Sequence, residues 1–279
     1  MKLRIYKSKK PFINYRSKGL LLLFFMMQLA LGLAQEQKLT VSPVSAYEID
    51  ADAFAGFDGL GSFYYIKNDV FFKRKNDKLW EYKNLSLGKI TRVDLQNPLQ
   101  MVLFYENFNT VIMLDNQLNE VQKINFSEND LPIMVAAVGI SSQNRLWIYN
   151  SLSQHIGLFD YLKNTLQPIT PSFQGNIKYY ESDFNTFQWI DEKMNWFTCD
   201  IFGKVTALGK VSDFDQIQPV TKQIVLFSKD GKLHLQDLQK NVIYTIVNVE
   251  KSFKNFYYKD QILSIFTTTG ITNYKITIP

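Results

Sequence analysis

Residues 101–126 read MVLFYENFNTVIMLDNQLNEVQKINF, and they contain a pattern that the rest of the chain repeats. Two apolar runs are separated by residues 106–109, and a third run follows a polar segment that begins at Asp115. Short apolar runs bounded by Asn and Asp are typical of β-strands joined by tight turns. The stretch is therefore predicted to form three neighbouring antiparallel strands.

Part of this stretch recurs at a fixed spacing: an Asp, an Asn four residues later and an Ile five residues after that. The copies are Asp115/Asn119/Ile124, Asp160/Asn164/Ile169 and Asp237/Asn241/Ile246. An Asp at the end of a strand can accept hydrogen bonds from N–H groups of the following turn, and Asn tolerates the left-handed backbone that closes it. Turn chemistry accounts for both polar residues, so we predict a structural role for them, with the Ile returning to the core.

The acid that ends an apolar strand marks five units, whose spacings are 34, 45, 40 and 37 residues. The five acids are Glu81, Asp115, Asp160, Asp200 and Asp237. Units of about 40 residues with several short strands fit the four-stranded blades of a β-propeller. The sequence therefore predicts an all-β fold. A two-sheet sandwich or another number of blades is the alternative.

The last unit is incomplete, because residues 261–278 supply only two strands. Residues 38–49, KLTVSPVSAYEI, have strand-like composition and precede the first full unit. Pairing of the N-terminal strand with the C-terminal strand would complete a sixth blade and remove two open sheet edges. We predict a six-bladed ring closed in this way. The alternative is an N-terminal strand that packs elsewhere.

The first 34 residues have the layout of a secretory signal peptide: a basic section to Lys18, an apolar run from Gly19 to Ala34, and a polar start after it. Gly32 and Ala34 place small residues where signal peptidase requires them for a cut after Ala34. The apolar run has 16 residues, whereas a bilayer span needs roughly 20. We predict a cleaved signal peptide at 1–34 and a single propeller domain at 35–279. Retention as a membrane anchor is the alternative.

Export changes the charge of the protein, because the first 34 residues hold seven of the 31 basic residues and no acid. The remaining chain has 24 basic and 26 acidic residues, a net charge of −2. That balance gives no indication of a nucleic-acid partner. Cys199 is the only cysteine, so no internal disulfide can form, and we predict a buried, unreactive thiol.

The sequence offers few candidates for metal chemistry. The only two histidines, His155 and His234, precede the repeated Asp at different offsets, and a zinc site needs at least three convergent protein ligands. Both are predicted to be ordinary strand residues. No catalytic, cofactor-binding or metal-binding residue and no cofactor is predicted, and a non-catalytic protein is favoured over an enzyme.

The densest group of acids consists of Glu48, Asp50, Asp52 and Asp58. Calcium takes six to eight oxygen ligands, but the spacing of these acids does not match the EF-hand loop. We predict acids of a solvated loop or turn.

Aromatic residues concentrate in residues 63–75, 178–180 and 255–258. Consecutive residues of a strand point to opposite faces, so some of these rings are predicted to reach the surface or the central channel. Exposed aromatics favour protein partners or stacking on sugars. The basic run Lys73–Arg74–Lys75 is predicted to be a solvated turn.

Residues 114–124 (LDNQLNEVQKI) and 159–169 (FDYLKNTLQPI), with the hairpins before them, resemble exported β-propeller-like proteins, especially the uncharacterised secreted propellers common in Bacteroidetes. The resemblance implies an envelope or extracellular protein, and it carries no catalytic signature. Function does not follow from fold alone. Our leading hypothesis is an exported scaffold that binds proteins at the cell envelope, in a periplasmic, outer-membrane-associated or extracellular location. The alternative is an extracellular propeller that binds or processes glycans.

Signal cleavage predicts that the exported protein begins at Gln35, which intact mass and N-terminal sequencing would check. Ala34→Arg should block processing, because signal peptidase requires a small residue at that position. Gln37→Ala, just beyond the cut, is the control and should be processed normally. Isolation of full-length protein from cells that process other exported proteins would show that the segment is retained.

Overall fold

Twenty-five strands and two 3₁₀ turns form the regular structure of this computed structural model, which describes residues 37–128 and 132–279. The strands form six antiparallel sheets that follow one another along the chain. Each sheet contains a run of three or four consecutive strands. The described residues therefore form a six-bladed β-propeller, and the predicted fold class is confirmed. The predicted signal peptide lies outside the described residues.

The first two strands belong to the last two blades. They are β1 (Gln37–Thr40) and β2 (Ser42–Glu48). Blade 1 contains β3 (Ala53–Phe57), β4 (Phe63–Lys67), β5 (Val70–Lys75) and β6 (Lys78–Tyr82). Blade 2 contains β7 (Arg92–Asp94), β8 (Met101–Tyr105), β9 (Thr110–Leu114) and β10 (Glu120–Asn125). The 3₁₀ turns are Glu106–Phe108 and Phe126–Glu128.

The remaining blades repeat this order from the inner to the outer strand. Blade 3 contains β11 (Val135–Ile140), β12 (Arg145–Asn150), β13 (His155–Asp160) and β14 (Thr165–Pro168). Blade 4 contains β15 (Ile177–Ser182), β16 (Thr186–Asp191), β17 (Asn195–Asp200) and β18 (Val205–Lys210). Blade 5 contains β19 (Gln216–Pro219), β20 (Ile224–Lys229), β21 (Lys232–Asp237) and β22 (Val242–Val247). Blade 6 contains β23 (Asn255–Lys259), β24 (Ile262–Phe266) and β25 (Gly270–Lys275).

The ring closes through β2, which pairs antiparallel with β25 from Ser42 opposite Lys275 to Glu48 opposite Gly270. It supplies the fourth strand of blade 6, so the predicted closure by the two ends of the chain is confirmed. In addition, β1 lies beside β22 as a fifth strand of blade 5. Val41, between β1 and β2, is buried with apolar residues of both blades. The N-terminal segment therefore joins two blades.

The hydrophobic core lies between the blades. The buried apolar side chains of the described residues form six clusters, and each cluster combines two neighbouring blades. The cluster between blades 6 and 1, for example, packs Phe266 and Ile271 against Phe54 and Phe63. Burial of apolar surface stabilises each interface by about 25 cal/mol per Å². Every blade depends on two neighbours, so an open ring would expose two apolar faces.

The repeated Asp has the turn role that its spacing predicts. The Asp115 carboxylate accepts hydrogen bonds from the backbone N–H groups of Gln117 (2.8 Å) and Asn119 (2.9 Å). Asp160 accepts from the backbone N–H of Leu162 and Lys163, and Asp237 accepts from that of Lys240.

The Asn has two different roles. Asn164 and Asn241 adopt left-handed backbone, with φ of 56° and 53°. In the first copy Leu118 is left-handed, with φ of 62°, and the Asn119 side chain donates to Asp115 instead, at 2.9 Å. The uniform conformation predicted for the Asn is therefore wrong for this copy, because Asn can serve the turn through its side chain as well as through its backbone.

One unit marker is also wrong. Asp115, Asp160, Asp200 and Asp237 follow or end the third strand of their blades, but Glu81 lies in β6, the fourth strand of blade 1. The third strand there is β5, which ends at Lys75 and has no terminal acid. The apolar run around Trp80 has strand composition in either position, so composition alone could not assign it.

Ring closure predicts that Ala46→Cys with Thr272→Cys forms a disulfide, because these residues are directly opposite in β2 and β25. Opposed Cα atoms lie about 4.5–5.5 Å apart, within the range of a disulfide. The bridge should stabilise the fold by roughly 2–4 kcal/mol, measured as denaturant unfolding with and without reductant.

The matched control is Ala46→Cys with Ile271→Cys, whose side chains point to opposite faces of the sheet. It should stay reduced by intact mass. Failure of the opposed pair to oxidise would contradict the β2–β25 pairing.

Candidate functional site

The inner strands of the blades surround a central channel with a cavity volume of about 1040 Å³. Its lining comes from all six inner strands and contains charged, amide and aromatic side chains beside apolar ones. Arg92, Asp94, Tyr179, Glu181 and Tyr257 form its polar cluster, named the channel cluster below. The channel is therefore polar over part of its wall.

Arg92 crosses the channel wall from β7 to β15. Its guanidinium donates a hydrogen bond to the Tyr180 carbonyl oxygen (2.8 Å) and lies 4.6 Å from the centre of the Tyr180 ring. It is 5.7 Å from the centre of the Tyr179 ring. Such placement over aromatic faces is favourable for a cation. One carbonyl group and two aromatic side chains therefore stabilise the positive charge of Arg92 inside the channel.

The strand between β7 and β15 has a glycine where the side chains of Asp94 and Ser182 approach it. A Cβ atom at Gly139 in β11 would lie 1.9 Å from Ser182 Oγ and 3.0 Å from Asp94 Oδ2. Any larger residue would collide with both side chains. Gly139 therefore allows the side chains of blades 2 and 4 to approach each other in front of blade 3.

Asp94 connects β7 to β11 by accepting hydrogen bonds from backbone N–H groups. Its carboxylate accepts hydrogen bonds from the N–H groups of Ile140 and Gln96, both at 2.8 Å. Burial raises the pKa of Asp94, against the effect of these hydrogen bonds. Because both carboxylate oxygens have backbone partners, Asp94 has a mainly structural role that ties β7 to β11.

Glu181 has fewer partners. Its carboxylate accepts one hydrogen bond, from the Tyr179 hydroxyl at 3.2 Å, and burial raises its pKa. Within the described ranges, Glu181 and Arg92 are not among the ion pairs found within 4.0 Å, although Arg92 acts to lower the pKa of Glu181. The Tyr179 hydroxyl is hydrogen-bonded to both groups, so the two opposite charges are connected through this phenol and make no direct contact.

Tyr257 of β23 brings an aromatic ring into the channel from blade 6. Its hydroxyl donates to the Phe57 carbonyl oxygen at 3.3 Å. A Cβ atom at Gly56 would lie 2.8 Å from the ring, and Gly56 has φ of 135°, which disfavours other residues. Gly56 therefore provides the space that the ring needs. Tyr179, Tyr180 and Tyr257 line the channel, which confirms that some of the clustered rings reach it. The adjacent Tyr179 and Tyr180 do so together, although strand alternation predicts opposite faces for them.

The acids near the start of the propeller are occupied by local contacts. Asp50 forms an ion pair with Lys67, and Asp52 accepts from the backbone N–H of Asn68 at 2.7 Å. Asp58 is buried and not solvated, but it has the predicted turn role, since it accepts from the backbone N–H groups of Leu60 and Ser62 as well as from the Tyr64 hydroxyl. Burial acts to raise the pKa of Asp58, but these hydrogen bonds outweigh it and the pKa is lowered. Glu48 is exposed in β2.

The histidines and the cysteine lie apart from one another. His155 and His234 occupy the third strands of blades 3 and 5. His155 Nδ1 is 2.6 Å from the Thr170 carbonyl oxygen, and His234 stacks on Phe227. Cys199 is buried, and burial raises its thiol pKa to about 11. Among the described residues, no group of three or more His, Cys, Asp or Glu is placed to hold a metal ion.

The basic run at 73–75 is not a turn. Its residues end β5, and Lys73 is buried. The Lys73 ammonium donates to the Asn116 carbonyl oxygen at 2.7 Å and lies 5.4 Å from the centre of the Trp80 ring. The predicted solvated turn is therefore wrong, because the long lysine side chain reaches across the blade interface to a carbonyl group of the next blade.

A second candidate surface consists of apolar side chains on connecting loops. Leu85 is 83% exposed, Phe108 49%, Met134 47% and Leu152 61%. We name these four residues the loop band. Single exposed apolar residues are common, but contiguous patches mark interaction sites. Leu60, Leu99, Leu162 and Phe202 are also exposed, on other connections.

Direct contacts join the loops that carry the band. A Cβ atom at Gly88, in the loop of Leu85, would lie 3.7 Å from Phe108. The next residue, Asn109, donates to the Ile133 carbonyl oxygen at 2.6 Å and accepts from the Val135 N–H at 2.9 Å. The Ser151 N–H donates to the Met134 carbonyl oxygen at 2.8 Å. The loops of blades 1 to 3 are thus held side by side.

The band leads to an aromatic slot between blades 3 and 4. The backbone N–H of Phe173 donates to the Gln154 carbonyl oxygen at 3.1 Å, which joins the slot to the loop of Leu152. Four stacked rings follow in the order Tyr149, Phe173, Trp189 and Phe197, with centroid distances of 5.2, 5.2 and 5.3 Å. The last three rings border a cavity of about 300 Å³. We name these four rings and their cavity the aromatic slot.

Sequence reasoning did not find the channel cluster. The polar residues Arg92, Asp94 and Glu181 occupy inner strands that lack the long apolar runs of the second and third strands. Alternation of charged and apolar residues in Arg92–Val93–Asp94 was the available signal. The loop band carried no pattern in the sequence, since its residues belong to separate turns.

No protein-family model and no curated protein sequence matches the chain. No helix among the described residues is long and apolar enough to cross a membrane.

Solved structures are similar in fold. A streptogramin B lyase has a TM-score of 0.57 and 10% identity, covering 84% of this chain and 97% of that chain. A Bacteroides thetaiotaomicron protein of unknown function has a TM-score of 0.55 and 11% identity, covering 87% and 73%. BBS1N, in a complex with ARL6DN, has a TM-score of 0.52 and 13% identity, covering 85% and 78%. At these identities the likeness shows the β-propeller fold and no more.

Glu181→Gln is expected to raise the melting temperature at neutral pH. A carboxyl group whose pKa is raised by burial stabilises the fold when protonated, and this contribution is lost as pH rises through the folded-state pKa. The advantage of the variant should therefore vanish below the unfolded Glu pKa of about 4.3 and grow toward pH 8. Thermal unfolding at a series of pH values measures it.

Glu48→Gln is the control, because Glu48 is exposed in the outer strand β2. It should leave the difference in melting temperature close to zero at every pH. A lower melting temperature of Glu181→Gln at pH 8 would contradict the cost assigned to burying this carboxylate.

Proposed function

We propose that the protein is a protein-interaction propeller that binds its partner through the loop band and the aromatic slot. The observation that supports this proposal is that the two surfaces are continuous. Four exposed apolar side chains on adjoining loops lead to a cavity bordered by three aromatic rings. Protein interfaces commonly combine a desolvated apolar centre with aromatic anchors.

The slot defines the chemistry of the partner. Its rings stack on one another, so most of their faces are occupied within the protein, and an incoming group meets their edges and the apolar cavity. A volume of about 300 Å³ is at the lower end of ligand pockets and fits one large apolar side chain. The proposed partner therefore carries such a side chain on a segment that also covers Leu152 and Met134.

The proposed location is the cell envelope, as the layout of the first 34 residues supports. The propeller fold of BBS1N is found in a complex with ARL6DN, which supports the use of this fold for protein binding. The proposed role is non-catalytic: the loop band is apolar, and the slot combines stacked rings with a lining that includes Asn176 and Asp191.

The test uses Leu85→Asp with Leu152→Asp, which places two charges in the proposed interface. Both side chains are more than half exposed, so the melting temperature should change little. Proteins captured from envelope membranes by tagged wild type and variant are compared by quantitative mass spectrometry, and a captured partner is then purified and titrated. We expect binding to fall by about tenfold or more, since a central interface residue contributes more than about 1 kcal/mol.

Phe202→Asp is the matched control. Phe202 is 87% exposed but lies outside the loop band, so its variant should bind the partner like the wild type. Equal capture of the same proteins by all three forms would overturn the proposal. So would a wild-type protein that remains without a partner after gentle extraction.

A further inference from the structure

The central channel has the size of a small-ligand site. Its volume of about 1040 Å³ is at the upper end of the range of about 300–1000 Å³ for ligand pockets. Such sites combine apolar and aromatic walls with a few convergent polar groups. The channel cluster supplies these groups from three different blades.

The hydrogen-bonding capacity of two members of the cluster is only partly used. Arg92 has five N–H donors. Its guanidinium donates to the Tyr180 carbonyl oxygen and is hydrogen-bonded to the Tyr179 hydroxyl, so part of its donor capacity is left for a ligand. The Glu181 carboxylate accepts one hydrogen bond, from Tyr179. By contrast, Asp94 is occupied by two backbone N–H groups. The pair that can bind a ligand therefore consists of a donor, Arg92, and an acceptor, Glu181.

The charged residues that line the channel carry both signs and select against charged ligands: Lys89, Arg92 and Lys259 are basic, and Asp94, Glu181 and Asp260 are acidic. An anion attracted to Arg92 would meet the carboxyl groups of Glu181 and Asp94, and a cation attracted to Glu181 would meet the guanidinium group. The Tyr179 hydroxyl is hydrogen-bonded to both Arg92 and Glu181 and uses only part of their hydrogen-bonding capacity. A neutral ligand group beside it can therefore reach the remaining donors of Arg92 and acceptors of Glu181. A hydroxyl group suits that position, since it donates to a carboxylate and accepts from a guanidinium.

Aromatic side chains line the channel near Arg92 and Glu181. Tyr179 and Tyr257 line the cavity and are partly exposed. Aromatic side chains offer a flat apolar surface with a polar hydroxyl group at the edge. The C–H faces of a sugar ring can pack on such a surface while its hydroxyl groups reach Arg92 and Glu181.

We propose that the central channel binds a neutral oligosaccharide of two or three rings, positioned by Arg92 and Glu181 and packed against Tyr179 and Tyr257. This site is separate from the loop band, so it adds a ligand to the proposed protein interaction and does not depend on it.

The probes are neutral trisaccharides of glucose, xylose and mannose with different linkages, at millimolar concentration. Saturation-transfer NMR and calorimetry measure their binding to the protein with residues 35–279. We expect saturable binding of at least one probe. An oligogalacturonate (anionic) and a chitosan trimer (cationic) should bind at least about tenfold more weakly, because each meets a like charge in the channel.

Two variants locate the site. Glu181→Gln should weaken binding by about tenfold, the loss expected for one hydrogen bond to a charged group. Tyr179→Phe removes the hydroxyl group that holds Glu181 and should weaken binding severalfold while keeping the ring. Tyr47→Phe is the matched control, since Tyr47 is exposed in the outer strand β2, and its affinity should equal that of the wild type.

Two outcomes would overturn the inference. One is the absence of saturable binding by every neutral probe, and the other is unchanged affinity in both Glu181→Gln and Tyr179→Phe. The double variant of Leu85 and Leu152 should keep saccharide binding, and Glu181→Gln should keep the protein partner. Each proposal can therefore fail without the other.

Discussion

Burial of apolar side chains between neighbouring blades stabilises this protein only when the ring is complete. Strand pairing in blade 6 completes it, because β2, which precedes blade 1 in the sequence, pairs with β25, the last strand of the described residues. The pairing covers the edge of β25, and it brings Phe266 of blade 6 against Phe54 of blade 1. The β2–β25 pairing and the core cluster between blades 6 and 1 thus close the ring. The other five interfaces join blades that are consecutive in the sequence.

Closure of the ring creates the channel, and burial of charged groups in that channel costs folding free energy. Inner strands from six blades bring charged and aromatic groups into a confined space, and burial raises the pKa of both Asp94 and Glu181. Ionised carboxyl groups in such a place oppose folding at neutral pH. Asp94 recovers part of that cost through backbone hydrogen bonds, whereas Glu181 has one phenolic partner. A structural role therefore explains Asp94 better than it explains Glu181, which agrees with a ligand-binding role for the latter.

The two candidate surfaces differ in the physical source of their affinity. The loop band and the aromatic slot offer apolar area, and binding there would follow from removal of that area from water. The channel offers oriented hydrogen-bonding groups in a confined space, where a correct polar match is favoured and a mismatch is costly. One propeller can therefore hold a protein on its loops and a small polar ligand in its centre.

The sequence predicted most of the strands, the hairpins and the repeated Asp turns. Their causes are local: the Asp115 carboxylate needs N–H groups only two and four residues away, and the apolar runs of β8 and β9 are joined by a short connection. It also indicated the closure, because an incomplete last unit and an unassigned first strand complement each other. The sequence could not predict the burial of Lys73, because its partner Asn116 is 43 residues away. It also could not distinguish Glu81, in a fourth strand, from the acids that end third strands. The channel cluster follows from the tertiary structure, which brings Arg92 to the Tyr180 carbonyl oxygen, beside Tyr179 and Glu181, across 88 residues of chain. That contact depends on the number of blades and on which face of each inner strand points into the channel, and these are properties of the closed ring.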